Sequence, residues 1–376
     1  MPGAALVHDY FVQDGGAERV AVELARLLPD ASIHTSFYDE TVFSDRLASA
    51  RVHPWRLNKA MLRNRFRALL PLYPAYFSAL DLRDMELVVS SSSAFAKAVR
   101  TSRKGTHVAY IHAPMRFAWQ YQTYASGSSL SLPARTAGRL LGAPLRTWDR
   151  RTSQSPDVLV ANSSAIRERI RAFWARDAEV IHPPVNVAEF DVPTRDDGYL
   201  LIVARLLAYR RVDLAVDAAL ASGRELVIIG EGPERAALEA RARGNGRHTG
   251  TSRVRFEGIA TRQRVIKLMA GCHAYLVPGE EDFGIAPVEA MAAGKPVVAV
   301  NRGGAMETVI DGTTGALFSD QTPEALVQAI ERLDSLHLDP ARIKAHAHQF
   351  SPERFRSEFR GLLSRLGVEP ALYAVG

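Results

Sequence analysis

Ala274-Tyr-Leu-Val-Pro-Gly-Glu-Glu-Asp-Phe-Gly-Ile-Ala-Pro-Val-Glu-Ala-Met-Ala-Ala-Gly294 sets an apolar run, a glycine-marked loop and a helix in direct succession. Ala274–Val277 reads as a buried strand. Gly279, Gly284 and Pro287 fit a turn into a helix over Ala286–Ala293, and Pro296–Val300 is the next apolar run. Strand, helix, strand at this spacing predicts parallel pairing with the helix on one face. The helix start offers free N–H groups and a positive dipole end to an anion such as phosphate. Glu281 stands in the loop before it, and Glu289 one turn in. They read as ligand contacts, against the alternative of two unrelated surface glutamates.

The same alternation runs outward in both directions. Just before this stretch, in the second half of the chain, strands are expected at Tyr199–Val203, Glu225–Ile229 and Val254–Glu257, with helices at Arg211–Ser222 and Arg262–Ala270. Towards the N-terminal side they are expected at Ala4–Val7, Leu87–Ser90, Thr106–Ile111 and Val158–Asn162. A helix over Ala17–Leu28 carries Val20, Leu24, Leu27 and Leu28 on one face. Pro183 to Pro193 reads as a linker. Pro323–Ser335 and Pro352–Leu366 are the last clear helices. The fold class is therefore α/β, with two doubly wound, Rossmann-like domains. We expect domains at 1–185 and 186–350, and 351–376 as a C-terminal helix packing back on the first. In open parallel sheets ligands bind beyond the carboxyl ends of the strands, so two such sheets facing across a cleft would share one crevice.

The 376 residues suit two cores. With 47% hydrophobic and 23% charged residues the composition is globular. Cys272 is the only cysteine, so neither an intrachain disulfide nor a cysteine metal site is expected, and a reducing, cytoplasmic setting fits. No leader segment and no membrane-spanning run is recognised. The net charge of +6 is uneven: residues 1–185 hold 24 Lys+Arg against 16 Asp+Glu. Lys97 to Arg151 contains ten basic residues and one acid, Asp149. An anionic partner for the first half follows, against the plainer reading of a solvated arginine-rich surface. Trp55 to Leu70 mixes Arg/Lys with large apolar side chains, which suits either a membrane surface or helix packing. Arg135 to Arg151 has the same ambiguity. No zinc spacing, recognition helix or aromatic RNA motif points to nucleic acid.

Further candidates sit at strand ends. Gly15 and Gly16, between the first strand and first helix, allow close approach of a ligand, or simply make a capped turn. His112 ends the strand Thr106–Ile111, where an imidazole can bond a sugar hydroxyl or phosphate. His8 has a similar place. Arg205 and Arg210, just after Tyr199–Val203, can converge on a diphosphate. Gly230 marks a further strand end, and Gly303-Gly304 follows the next.

Glu281-Asp-Phe-Gly-Ile-Ala-Pro-Val-Glu289 resembles the Glu-x7-Glu motif of retaining glycosyltransferase family 4, whose fold is GT-B, and the likeness extends over nearly the whole chain. Gly15-Gly16-Ala-Glu18 resembles the family's glycine loop. Ile111-His-Ala-Pro-Met-Arg-Phe-Ala-Trp119 is similar to a segment of the bacterial polysaccharide mannosyltransferase branch. Arg205 matches the family's donor-phosphate arginine, and Arg210 stands where lysine is usual. The resemblance implies that the Gly15–Gly16 loop, Arg205 and Arg210 neutralise a leaving diphosphate. It implies that Glu281 contacts the transferred sugar, with Phe283, Gly284 and Ile285 helping through main-chain groups, and that Glu289 holds the ribose. His112 would meet the sugar near its anomeric region; the strand-end turn at Gly230, read from its position alone, could border a nucleotide base or its phosphates. The resemblance further implies retention of configuration without a metal or other cofactor. The donor would be a nucleotide-sugar, GDP-mannose first. The acceptor would be a glycan, a lipid-linked intermediate or a small glycoside, at a cytoplasmic or peripheral membrane site in polysaccharide biosynthesis. A UDP- or dTDP-sugar donor, a non-transferring enzyme such as a 2-epimerase, and a binding protein without catalysis stay open as alternatives.

Overall fold

The computed structural model describes residues 3–63, 66–120, 132–243 and 253–374, with side chains for all of these except 67, 132–141 and 370. The chain forms two compact units. The first comprises residues 3–120, 137–184 and 352–374, and the second is chiefly Val185–Ser351.

In chain order the strands of the first unit are β1 (Ala4–His8), β2 (Ser32–Thr35), β3 (Arg51–Pro54), β4 (Asp81–Leu82), β5 (Leu87–Ser92), β6 (Arg100–Thr101), β7 (Thr106–Ile111), β8 (Val158–Ala161) and β9 (Glu179–Val180). Seven of them form a parallel sheet in the order β3-β2-β1-β5-β7-β8-β9, and β4 pairs with β6 apart from it. Helix α1 (Gly16–Leu27) buries Val20, Leu24 and Leu27, the stripe read from the sequence. Helices α2 (Leu132–Thr152) and α3 (Ser164–Trp174) lead into and out of β8, and α4 (Pro352–Arg365) packs Phe355, Phe359 and Leu363 into the same core as β1 and α1.

The second unit holds β10 (Leu200–Val203), β11 (Leu226–Ile229), β12 (Val254–Gly258), β13 (Ala274–Val277), β14 (Val297–Val300) and β15 (Gly315–Phe318). They form one parallel sheet in the order β12-β11-β10-β13-β14-β15. Its central strands are buried along their whole length, as expected of a sheet covered on both faces. Alternating side chains feed one core on each face.

Two sequence readings need correction, and a third left two alternatives open. β5 continues through Ser92 rather than ending at Ser90, because its ladder with β7 runs on to Ser92 opposite Ile111; along it Ser90 Oγ meets His107 Nε2 at 2.9 Å and Ser91 Oγ meets His112 Nε2 at 2.7 Å. The stretch from Pro183 to Pro193 is more than a linker. Val185, Val187 and Phe190 are buried in the second core, and Val185 N–H bonds Phe350 O at 2.8 Å. In Trp55 to Leu70, Trp55 stacks on Tyr76 at 4.7 Å, and Leu62, Phe66 and Leu69 pack on the same cluster. Packing therefore accounts for these apolar residues, while Met61 is 84% exposed. Arg65 and the side chains of Arg67, Arg135 and Arg139 lie outside the described residues.

Asp149, the single acid of the basic stretch, is fully buried. Its carboxylate accepts from Lys97 Nζ at 2.6 Å, Trp119 Nε1 at 2.7 Å and Trp174 Nε1 at 2.8 Å. Lys97 in turn lies 5.0 Å from the Trp174 ring centroid and 5.5 Å from that of Trp148. Removing one partner strands a buried charge, which costs about 3–5 kcal/mol. Asp149→Ala also orphans two indole N–H groups. Urea unfolding is expected to show a loss of at least that size for Asp149→Ala, and a far smaller loss for a surface variant such as Arg103→Ala.

Candidate functional site

In the first unit, three neighbouring strands end in polar groups that bond one another. β1 closes on His8, β5 on Ser91 and Ser92, and His112 follows β7 directly. His8 Nδ1 lies 3.0 Å from Ser91 O and 3.1 Å from its Oγ, and His112 Nε2 lies 2.7 Å from the same Oγ. One serine hydroxyl thus joins both imidazoles. Burial pushes His8 down to about 4 and His112 down to about 3, so both rings are neutral at physiological pH. His112 is fixed further through its main chain, which accepts from Asn162 Nδ2 at 3.0 Å and donates to Ser92 O at 2.9 Å.

Asp9, next to His8, holds the loop after β5. Its two oxygens accept from the N–H groups of Ser93, Ala94, Phe95 and Ala96 at 2.6–3.0 Å. Nothing in the sequence singled out Asp9 or Ser91. Their partners lie more than 80 positions away along the chain for Asp9 and 21 for the Ser91–His112 contact.

The Gly15–Gly16 loop turns into α1 with Gly15 as its N-cap. Glu18 folds back over this start, bonding the N–H groups of Gly15 and itself and the side chain of Gln13. That is one half of a capping box. A Cβ on Gly15 would fall 2.5 Å from Glu18 Oε2, so any larger residue there would make the Glu18 side chain shift. Burial pushes the Glu18 carboxyl up to about 8, so an acid sits protonated at the helix start.

In the second unit the loops after β10, β13 and β14 meet at the carboxyl ends of adjacent strands. A Cβ on Gly279 would lie 2.3 Å from Tyr209 O and 2.6 Å from Arg210 O, so only glycine lets the β13 loop touch the β10 loop. Gly304 N–H bonds Glu281 O at 2.9 Å, so the Gly303-Gly304 turn supports the same loop from the other side. Gly230, with φ +133, ends β11 beside Ala204.

Arg210 and Glu281 consequently form an ion pair between Nη1 and Oε1, and both are largely buried. Glu281 holds the Arg210 guanidinium well above its ordinary value. Arg210 Nε is buried without a hydrogen-bond partner, and Arg205 is exposed at the end of β10 without an ion pair among the described residues. Gly284, φ 92, caps helix α5 (Ile285–Ala292), with Phe283 buried before it. Glu289 is buried on that helix and accepts from Arg262 Nη1 at 2.7 Å. Arg262 also meets Glu189 Oε2 at 2.7 Å and lies over the Phe190 ring at 4.5 Å. Arg262 is a further site residue that the sequence did not reveal, because its partner is 27 positions away on another helix.

Two measurements check these assignments. The unfolded Glu18 carboxyl loses its proton near 4.5, and the folded one keeps it to about 8. Its stabilising contribution is therefore complete below pH 4.5 and is lost as pH rises to 8. Melting curves of Glu18→Gln and the parent should diverge across that window, the variant gaining about 3–5 kcal/mol relative to the parent by pH 8. In urea unfolding, Ser91→Ala should lower stability by about 1–3 kcal/mol, since it leaves two buried imidazoles short of a partner. Ser91→Thr should lose less, because it keeps the hydroxyl.

Comparison with known proteins places the chain in a family. A sequence profile described as Glycosyltransferase Family 4 matches residues 14–189, and one described as Glycosyl transferases group 1 matches residues 189–350. The GDP-mannose-dependent alpha-(1-6)-phosphatidylinositol dimannoside mannosyltransferase of Mycobacterium tuberculosis is 31% identical over 226 residues, which take in 54% of this chain and 56% of that protein. The human alpha-1,3/1,6-mannosyltransferase is 27% identical over 269 residues, 61% of this chain and 64% of its own. The chain thus matches little more than half the length of these curated relatives. Among solved structures, Anabaena HepE in complex with UDP superposes on 96% of this chain and 100% of its own, with a TM-score of 0.69 at 18% identity, which shows the GT-B fold. With adjoining profiles across residues 14–350, mannosyltransferase relatives and this fold, the chain belongs to glycosyltransferase family 4.

Proposed function

We propose that the chain transfers a hexose, mannose first, from a nucleotide-sugar to a glycan, lipid-linked or small glycoside acceptor, with retention and without a metal. The observation that carries the reading lies in the second unit: Arg205, Arg210, Glu281 and the α5 start stand together at the carboxyl ends of the adjacent strands β10 and β13. Two guanidiniums and a helix N-terminus suit a diphosphate. The names of the mycobacterial and human relatives favour mannose, and the former favours GDP-mannose.

Each side chain has a task in this scheme. Arg205 and the main-chain N–H groups at Phe283, Gly284 and Ile285 meet the diphosphate. Arg210 shares its charge between that group and Glu281, and its unpartnered Nε is available to a phosphate oxygen. Glu281, oriented by Arg210, accepts from hydroxyls of the transferred sugar. Glu289, oriented by Arg262, accepts from the ribose hydroxyls. The roles of Gly15, Gly16 and His112 towards the donor rest on the family resemblance, and that of Gly230 on its position at a strand end. The donor C1–O bond to the diphosphate breaks as the acceptor oxygen attacks from the same face, and a phosphate oxygen takes the acceptor proton. Catalysis is then positioning and electrostatic stabilisation of the departing diphosphate.

A melting-temperature screen with GDP, UDP, dTDP and ADP tests the donor class, since a ligand bound only by the folded chain raises that temperature. GDP is expected to give the largest rise, and no rise with any nucleotide would refute the reading. Glu281→Ala should lower transfer from GDP-mannose by about 100-fold with GDP binding kept. Conversion of labelled donor in the absence of acceptor would point instead to an epimerase.

A further inference from the structure

The first unit holds a cavity of about 720 Å³ that none of these tasks uses. Arg146, Arg150, Arg151 and Gln154, in and just beyond the last turns of α2, line it together with Trp119 and Trp174. Its size is that of a small-molecule site. None of the three arginines has a carboxylate partner among the described residues.

Two of them are nevertheless held in place. Arg146 Nη1 donates to Ala118 O at 3.0 Å and Arg150 Nε to Phe173 O at 2.8 Å. The Arg150 guanidinium also lies 5.6 Å from the Trp119 ring centroid, and Trp119 is itself stacked on Phe173 at 4.6 Å. A guanidinium has five N–H donors, so each keeps most of its donors for a ligand. Like charges at an i,i+4 spacing repel, and an anion between them removes that cost. The acid next in sequence to Arg150 cannot serve as the counter-ion. Asp149 is turned into the core and taken up by Lys97, Trp119 and Trp174. The fold thus withholds the one local carboxylate from three arginines, two of them preorganised, beside an aromatic wall.

We infer that this cavity binds the phosphate or pyrophosphate group of an organic phosphate, with Trp119 against the organic body. The inference rests on the proposed transfer reaction only in that the acceptor would carry the phosphate; the binding itself is independent of the donor site. Intrinsic tryptophan fluorescence of the full chain, titrated with geranyl pyrophosphate and with glucose 1-phosphate at low salt, tests it. A saturable change with at least one of them is expected, weakened about tenfold in Arg146→Gln/Arg150→Gln. Arg146→Lys should lose less than Arg146→Gln, since it keeps the charge and loses the fork. Preference for geranyl pyrophosphate identifies a lipid carrier, and preference for glucose 1-phosphate a phosphorylated sugar. No saturable change, binding that the double variant leaves intact, or binding confined to phosphatidylglycerol vesicles would each overturn the inference. The nucleotide-induced melting shift, measured on the same variants, shows that they are folded. Its absence in the parent would count against the transfer reaction and leave the cavity to be judged by the phosphate titrations alone.

Discussion

A parallel sheet covered on both faces leaves the polar side chains at its strands one place to act, beyond the carboxyl ends. Both units obey that constraint. Along β10, β11, β13 and β14 the strand interiors are buried and apolar, and charge begins only where the ladder stops, at Arg205, Arg210 and Glu281. In the first sheet the same boundary gathers His8, Asp9, Ser91 and His112. Because polar groups there are half withdrawn from water, each must find a partner, and the partners available are the ends of the adjacent strands.

That requirement explains why the candidate site residues come in pairs. Glu281 and Arg210 hold one another, Glu289 and Arg262 do the same, and His112 leans on Ser91. Each pairing fixes a rotamer before a ligand arrives, which is what electrostatic positioning needs. It also divides the charge. Arg210 is already partly neutralised, so the uncompensated positive charge at these strand ends is Arg205 with the helix start after Gly284.

The basic character of the first half divides in the same manner. Its ten cations between Lys97 and Arg151 are not equivalent. Lys97 is a core residue, buried with Asp149 between tryptophan rings. Arg146 and Arg150 are tethered to carbonyl oxygens at the surface. Charge counting along a sequence assigns all of these to one patch, whereas burial sorts them into a structural pair and a binding surface.

The sequence by itself determined the alternation of strands and helices, the loop from Glu281 to Glu289 and the arginines after β10, because those signals are local in apolar periodicity and glycine placement. It also carried the family resemblance that the profiles bear out. It missed the short strands β2, β3, β9 and β15, whose runs are too brief or too polar to stand out, and it cut β5 short where serines enter a buried strand. Only the tertiary structure decided who partners whom. Asp149 with Lys97, Ser91 with both histidines and Arg262 on Glu289 follow from which chain segments are brought together, and burial then makes each partnership obligatory.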